Sequence, residues 1–151
     1  MLGYASYVLP EPFKPAKHHA VLCAALDDVA AGTCDRLMVM MPPGSAKSTY
    51  ASVMFPAYFL GKNPQLSVIA ASNVADLADR FGRRVRNEFG LPRHRMLFNC
   101  GLAGDSTAAG EWATDKGGEY YAVGIGGAIA GRRADLAIVD DPIRSRDDAD
   151  S

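Results

Sequence analysis

Short apolar runs separated by polar and glycine-containing stretches divide the chain into alternating strands and helices. Three runs are continuous and short, which is typical of strands buried on both faces: RLMVMM at 36–41, LSVIAAS at 66–72 and ADLAIVDDP at 134–142. Between the last two, residues 111–127 alternate large side chains around a glycine turn and predict a hairpin.

Helical spacing fills the intervals between these strands. Residues 16–32 have apolar side chains at 22, 25, 26 and 29 and end at Gly32, which suits a C-cap. The segment 48–61 is also predicted to be helical, with a kink or an early end at Pro56. Residues 1–15 contain three prolines and are predicted to run extended over the surface. This order of elements indicates an α/β fold with a mostly parallel sheet.

A further helix follows the strand at 66–72, with Ser72 or Asn73 as its predicted N-cap. Its apolar stripe consists of Phe81, Val85 and Phe89. Arginines are frequent on this helix and in the loop after it: Arg80, Arg83, Arg84, Arg86, Arg93 and Arg95. They suit either contact with DNA phosphates or surface charge that complements the helix macrodipole and pairs with Asp79 and Glu88.

The composition restricts the class of protein. With 151 residues, of which 48% are hydrophobic, the chain suits one packed domain. A formal net charge of -1 argues against a surface built wholly for nucleic acid, so any contact with DNA is expected to be regional. The three cysteines form no CxxC pair, and no stretch is long and apolar enough to span a membrane, which favours a cytosolic protein.

The loop after the first strand, MPPGSAKST at 41–49, matches part of a phosphate-binding loop. Such a loop holds phosphate through converging backbone N–H groups, a lysine and a hydroxyl that binds Mg²⁺. The candidate residues are Pro43, Gly44, Ser45, Ala46, Lys47, Ser48 and Thr49. Lys47 and Ser48 stand where G-x-x-x-x-G-K-[ST] requires them, whereas Met41 and Ala46 replace its two glycines. The alternative is a Pro-Gly turn followed by a capped helix.

The last strand ends in two aspartates, Asp140 and Asp141. Because ligands of open α/β sheets bind at the carboxyl ends of the strands, Asp140 is a candidate metal ligand and Asp141 a candidate to polarise the attacking water. Aspartates also occur at strand ends for turn reasons, and Pro142 favours a turn. The strand followed by Lys-Ser and the later strand followed by Asp-Asp together predict a P-loop ATPase that binds ATP and Mg²⁺.

Two further segments are VIAASNVADLADRFGRRVRNEF at 68–89 and GGEYYAVGIGGAIAGRRADLAIVDD at 117–141. Together with the segments described above, they resemble the N-terminal ATPase region of the large terminase subunit of tailed bacteriophages. The resemblance implies a motor in the host cytoplasm that hydrolyses ATP to push double-stranded DNA through a portal protein into an empty capsid. It further implies a small terminase subunit as partner, a homo-oligomeric ring and no membrane. By this likeness Lys47 and Ser48 bind phosphate and Mg²⁺, and Asp140 completes the metal site.

Two positions depart from that family. Asp141 stands where a catalytic glutamate is common, and its side chain is one methylene shorter. Gly44 stands where many relatives carry an arginine, so that role is vacant or belongs to another residue. Arg132 and Arg133 are candidates, because an arginine finger supplies a planar cation where negative charge accumulates. The alternative for both is a solvated pair beside Asp135.

His18 and His19 stand side by side at the start of the first helix. Adjacent helical residues point in different directions and no carboxylate lies at i+4, which argues against a metal site. The resemblance places this segment near the adenine of the nucleotide and so makes it a candidate for contact with the base.

The resemblance also implies segments that the chain lacks. In P-loop NTPases of the ASCE type a further strand lies between the acidic strand and the phosphate-loop strand, so this sheet is predicted to be incomplete at the C-terminus. Residues 16–151 then form a partial ATPase domain, with the nuclease domain absent and little ATPase activity alone. Two alternatives stay open: another DNA-dependent, helicase-like ATPase, and a non-catalytic remnant of the fold.

Overall fold

The computed structural model describes residues 1–105 and 108–143. The helices are α1 Leu2–Val8, α2 Lys17–Ala30, α3 Phe55–Lys62, α4 Ala75–Phe89 and α5 Pro92–Phe98, with a π-helical segment Thr49–Met54 directly before α3. The strands are β1 Ser67–Ser72, β2 Glu111–Ala113, β3 Glu119–Gly124 and β4 Leu136–Asp140.

These strands form one mixed sheet in the order β2-β3-β1-β4. β1 is parallel to both β3 and β4, and β2 is antiparallel to β3. The register aligns Ser72 at the end of β1 with Gly124 of β3 and with Asp140 of β4. The three parallel strands therefore end at one edge of the sheet, and the predicted α/β class with a mostly parallel sheet is confirmed.

The core lies between one face of this sheet and the helices. Side chains of β1 alternate between half-buried and buried, and Val68 and Ala70 are among its buried residues. α4 packs across β1 and β3, and its Val85 and Phe89 are fully buried. The stripe predicted for α4 is therefore confirmed at these two positions, and Phe81 is half-buried.

The predicted hairpin is formed by β2 and β3. Trp112 and Tyr120 pair across the two strands and stack with their ring centroids 5.1 Å apart. Thr114 closes the turn, because its hydroxyl accepts the N–H of Gly118 at 3.0 Å and its own N–H donates to the Gly118 carbonyl at 2.8 Å. Trp112 and Tyr120 pack the hairpin against the core, whereas Tyr121 is half-buried and lies against Arg132.

The N-terminal segment contains a helix. The prediction of an extended segment at 1–15 is wrong for Leu2–Val8, where Tyr4, Ala5 and Val8 are buried at helical spacing. The ammonium of Met1 donates to both carboxylate oxygens of Asp27 at 2.8 Å and so ties α1 to α2. The three prolines all follow α1, which is why they do not interrupt it.

The predicted strand at 36–41 is not a strand. Met38 is 82% exposed and Met40 is 86% exposed, and no strand pairs with this segment among the described residues. A cleft of about 670 Å³ lies beside it, lined by residues from 34–39 and from 134–140. An extended segment forms a ladder only when a neighbour pairs with its N–H and C=O groups, and the cleft stands where that neighbour would be.

Pro56 lies inside a continuous helical stretch, 47–62, and does not end it. The turns before it are π-helical, and the N–H of Phe55 donates to the carbonyl of Tyr50, five residues back. Proline has no N–H, and its ring clashes with the carbonyl four residues earlier in a regular α-helix. The wider π-helical turn relieves that clash. The predicted early end at Pro56 is therefore wrong, whereas the alternative of a kink at Pro56 stays a prediction.

Two other helix ends differ in how well the sequence predicts them. Gly32 follows α2 with a φ of +72°, the left-handed conformation that favours glycine after a helix. The N-cap of α4 is Val74, without a side-chain hydrogen bond, so the predicted caps Ser72 and Asn73 are wrong. Ser72 is instead the buried last residue of β1.

Candidate active site

The start of the helical stretch at 47–62 meets the end of β4. Lys47 Nζ lies 3.2 Å from Asp140 Oδ1 and 3.6 Å from Asp141 Oδ1. β4 is parallel to β1, so Asp140 comes to the edge where parallel strands place their carboxyl ends. The predicted meeting of Lys47 with Asp140 is therefore confirmed, whereas the roles assigned to both residues stay predictions.

Asp140 is firmly anchored. Its side chain is buried, and the hydroxyl of Ser52 donates to its Oδ2 at 2.7 Å. Burial raises the pKa of the Asp140 carboxyl. Hydrogen bonds from Ser48, Ser52 and Lys47, together with the ammonium charge, outweigh burial and lower this pKa below its ordinary value. The carboxylate is therefore ionised at neutral pH.

Lys47 is charged for the complementary reason. Burial lowers the pKa of its ammonium, but the hydrogen bonds and charges of Asp140 and Asp141 raise that pKa above its ordinary value. One ammonium faces two carboxylates, which leaves one excess negative charge in the group. An added cation is electrostatically favoured there.

The loop before Lys47 has a left-handed backbone at two positions. Gly44 has a φ of +79°, and the N–H of Ser45 donates to the Pro42 carbonyl at 3.2 Å. Ala46 has a φ of +58° although it carries a Cβ, which costs roughly 1–2 kcal/mol. Ala46 thus adopts the conformation that glycine favours, at the position where the phosphate-loop pattern has glycine.

Asp141 has the same unusual backbone conformation, with a φ of +48°. Ala46 and Asp141 are direct chain neighbours of Lys47 and Asp140, so a strained residue adjoins each member of the ion pair. Backbone strain of this kind clusters at functional sites, where the surrounding structure maintains it. The two strained residues favour a functional role for this edge of the sheet.

His19 connects α2 to the loop. Its Nε2 lies 2.9 Å from the carbonyl oxygen of Ser45, and its Nδ1 accepts the N–H of Ala16 at 3.0 Å. The imidazole stacks on Tyr50, with ring centroids 4.2 Å apart and an angle of 14° between the planes. No group of three or more His, Cys, Asp or Glu suited to a metal ion occurs within 1–105 and 108–143. The sequence pattern indicated neither the contact with Ser45 nor that of Ser52 with Asp140.

Arg132 and Arg133 lie away from the ion pair. Arg132 bonds Glu111 at 2.9 Å, and its guanidinium carbon lies 3.7 Å from the ring centroid of Tyr121. Tyr121 lies three residues before Gly124, which is roughly 10 Å along the strand. Gly124 is the register partner of Ser72, where the parallel strands end. Arg133 is exposed. The structure does not bring either arginine to Lys47, so a catalytic role for them stays a prediction.

The arginines of α4 and of the segment after it differ in their partners. Arg93 pairs with Glu88 at 3.2 Å and Arg95 with Asp115 at 3.6 Å, in line with the alternative of paired surface charge. Arg84 instead reaches towards the loop, because its Nη2 lies 3.4 Å from the hydroxyl of Thr49. Among the described residues, Thr49 is the one member of the predicted loop whose side chain lies within hydrogen-bond distance of a side chain of α4.

No family model, curated protein or solved structure matches the chain. Function is therefore inferred from the arrangement of Lys47, Asp140 and the loop between 42 and 46. In the described ranges, no helix has the length and apolar character needed to cross a membrane.

The residues around Lys47 fit a magnesium-bound triphosphate in their chemistry. Mg²⁺ prefers oxygen ligands and is commonly held by one or two carboxylates together with substrate phosphates rather than by a closed protein cage. Ser48 and Asp140 supply a hydroxyl and an ionised carboxylate, and Lys47 supplies a cation for phosphate. Lys47, Ser52 and Asp140 also line the cleft beside β4.

Proposed function

We propose that the chain is a P-loop ATPase, the ATPase portion of a large terminase subunit that hydrolyses ATP to translocate double-stranded DNA into a procapsid. The observation that carries this proposal is the 3.2 Å contact between Lys47 and Asp140. It supports the nucleotide site because the two residues come from the two segments that phosphoryl transfer requires, a loop that opens a helix and an acidic strand end.

Each residue of the site has a distinct task in this proposal. The backbone N–H groups of 43–49 and the ammonium of Lys47 hold the phosphates, so Lys47 exchanges its carboxylate partners for phosphate oxygens. Ser48 and Asp140 hold Mg²⁺, which neutralises charge on the terminal phosphates when bound. Ser52 keeps the Asp140 carboxylate ionised and oriented. Asp141 orients the attacking water.

The DNA side of the proposal rests on the family resemblance and on charge. Exposed arginines on α4, Arg80 and Arg83 among them, supply a regional cationic surface for phosphates of double-stranded DNA. The portal protein, a small terminase subunit and a ring of identical subunits in the host cytoplasm complete the proposed assembly. Arg132 or Arg133 then serves a neighbouring subunit's nucleotide, since neither lies at Lys47 of its own chain.

Nucleotide binding tests the proposal directly. Calorimetric titration with MgATP is expected to give saturable binding by the wild-type chain, and Lys47→Ala is expected to weaken it by about 100-fold or more because the phosphates lose their cation. Lys116→Ala, an exposed lysine in the β2–β3 turn, is the matched control and should bind as the wild type does. Negligible affinity for MgATP in the wild-type chain would refute the nucleotide site.

A non-catalytic form of the same fold is the second candidate, and one observation favours it. Among the described residues no strand pairs with the segment 36–41, and its Val39 and Met41 are only half-buried, so no ladder supports the loop after it. A chain of this kind keeps the packed part of the sheet and binds partners without turning over ATP. Equal and negligible affinity of wild type and Lys47→Ala for MgATP would favour this candidate over the motor.

A further inference from the structure

We propose that His19 is a positioning residue of the phosphate loop: it holds the peptide between Ser45 and Ala46 in the orientation that gives Ala46 its left-handed φ. The proposal rests on the proposed nucleotide site and extends it, because it assigns to a histidine of α2 the task of shaping the loop. The group it prepares is the N–H of Ala46, a donor for a phosphate oxygen.

The hydrogen bonds of His19 define which of its nitrogens carries the proton. Nδ1 accepts the N–H of Ala16 at 3.0 Å, so in the neutral ring the proton is on Nε2. Nε2 then donates to the carbonyl of Ser45 at 2.9 Å. Nε2 of His18, at 2.9 Å, can only accept from the same proton. The imidazole therefore links the first turn of α2 to the loop through two directed bonds.

The carbonyl that His19 binds belongs to the same peptide unit as the N–H of Ala46. A trans peptide is planar, so its C=O and N–H point in opposite directions. Rotation about the N–Cα bond of Ala46, which is φ, turns this whole unit. Holding the Ser45 carbonyl therefore holds φ of Ala46 near +58° and directs the Ala46 N–H away from the imidazole. Within the described ranges, this N–H has no hydrogen-bond acceptor.

Tyr50 fixes the other side of Ala46. Its backbone N–H donates to the Ala46 carbonyl at 3.2 Å, and its buried ring stacks on His19 at 4.2 Å. Ala46 is thus held through the peptide before it by His19 and through the peptide after it by Tyr50. An alanine in the left-handed region persists where its surroundings determine it twice in this way.

Three variants test this role by calorimetric titration with MgATP. His19→Ala removes the link to Ser45 and is expected to weaken affinity by about tenfold, the size of one hydrogen bond. His19→Gln is expected to recover affinity to within about threefold, because a glutamine at this third helical position can accept from the Ala16 N–H and donate to the loop. Val21→Ala, at a 73% exposed position of the same helix, is the matched control and should change affinity by less than about twofold.

A glycine at position 46 separates positioning from general structural damage. Glycine adopts a positive φ without help, so His19→Ala is expected to cost about tenfold in the natural chain but only about two- to threefold when combined with Ala46→Gly. An equal loss in both backgrounds, or wild-type affinity in His19→Ala, would overturn the inference and leave the nucleotide site standing. Failure of the wild-type chain to bind MgATP would instead overturn both.

Discussion

The two halves of the sheet, one around β2, β3 and β1 and the other around β4, differ in how completely they are packed. On one side β2, β3 and β1 lie under α4, with Phe89, Trp112 and Tyr120 almost without exposure. On the other side β4 pairs with one strand among the described residues, Val139 is 60% exposed, and the segment 36–41 lies across an open cleft. The candidate site lies on the boundary between these two halves.

The position of the site on that boundary explains why its residues are held to different extents. Asp140 ends the last strand that the packed half supports, and Ser52 reaches it from the π-helical segment. Lys47 and the loop before it belong to the less supported half, where Ala46 is strained and His19 supplies a separate anchor. The carboxylate is therefore held rigidly, whereas the phosphate-binding elements are held by a few specific hydrogen bonds.

Hydrogen exchange should show the largest contrast between the halves. Amides of β1 pair with strands on both sides and are expected to exchange only on global unfolding, which costs about 5–15 kcal/mol in a domain. Amides of 36–41 belong to no ladder within the described ranges and are expected to exchange with almost no protection. Mass spectrometry of deuterated peptides measures both. Equal protection of β1 and 36–41 would remove the distinction between the halves.

Truncating large side chains should separate the halves next most strongly. Phe89→Ala is expected to lower the free energy of unfolding by about 3–5 kcal/mol, because it empties a fully buried position beside Trp112. Met40→Ala, at an 86% exposed position, is the control and should change it by less than about 0.5 kcal/mol. Urea unfolding followed by circular dichroism measures both values. A large loss in Met40→Ala would place 36–41 in a packed environment.

Removing the hydroxyl of Ser52 tests how firmly the boundary holds Asp140. Ser52→Ala deprives a buried carboxylate of a 2.7 Å hydrogen bond, and we expect a loss of about 1.5–3 kcal/mol in the free energy of unfolding. Ser6→Ala, at an exposed position of α1, is the control. If both variants unfold at the same urea concentration, Ser52 does not stabilise the carboxylate.

Periodicity predicts the packed half well, because there each element meets the partner that its pattern requires. The stripe of α4, the short apolar run of β1 and the hairpin around Gly118 all specify contacts within the described fold. The meeting of Lys47 with Asp140 is predicted from two strands that share an edge. It occurs although 36–41 is not a strand, because the start of the helical stretch at 47–62 lies at the end of β4.

In the other half, the sequence pattern alone does not predict the structure. The run at 36–41 is as apolar as β4, but a strand also needs a neighbour for its backbone, which the run itself does not encode. Ser52 and His19 are single polar residues at helical positions, and their partners lie far along the chain. Alanine does not favour a positive φ, so the residue type at position 46 does not predict the conformation that Ala46 adopts.

Acidification should reduce the contribution of Asp140 to the free energy of unfolding. Its pKa is lowered in the folded chain, so its contribution to stability is present above the pKa of an unfolded aspartate, about 3.9, and is lost as the pH falls through the folded value. The difference in unfolding free energy between wild type and Asp140→Asn should therefore narrow as the pH falls below about 4. Urea titrations at several pH values measure it, with exposed Asp28→Asn as the control. A constant difference would mean that the carboxylate is not preferentially ionised.

The smallest expected effect concerns the loop itself. Ala46→Gly removes the cost of a Cβ at φ +58°, roughly 1–2 kcal/mol, and adds backbone entropy to the unfolded chain, roughly 0.4–1 kcal/mol. A net gain of about 0.5–1 kcal/mol in the free energy of unfolding is therefore expected. Ala31→Gly, at a helix C-cap with a φ of -84°, has no such strain to relieve and should not gain. If both substitutions destabilise equally, Ala46 does not occupy the left-handed region, and the loop would lose the feature that links it to His19.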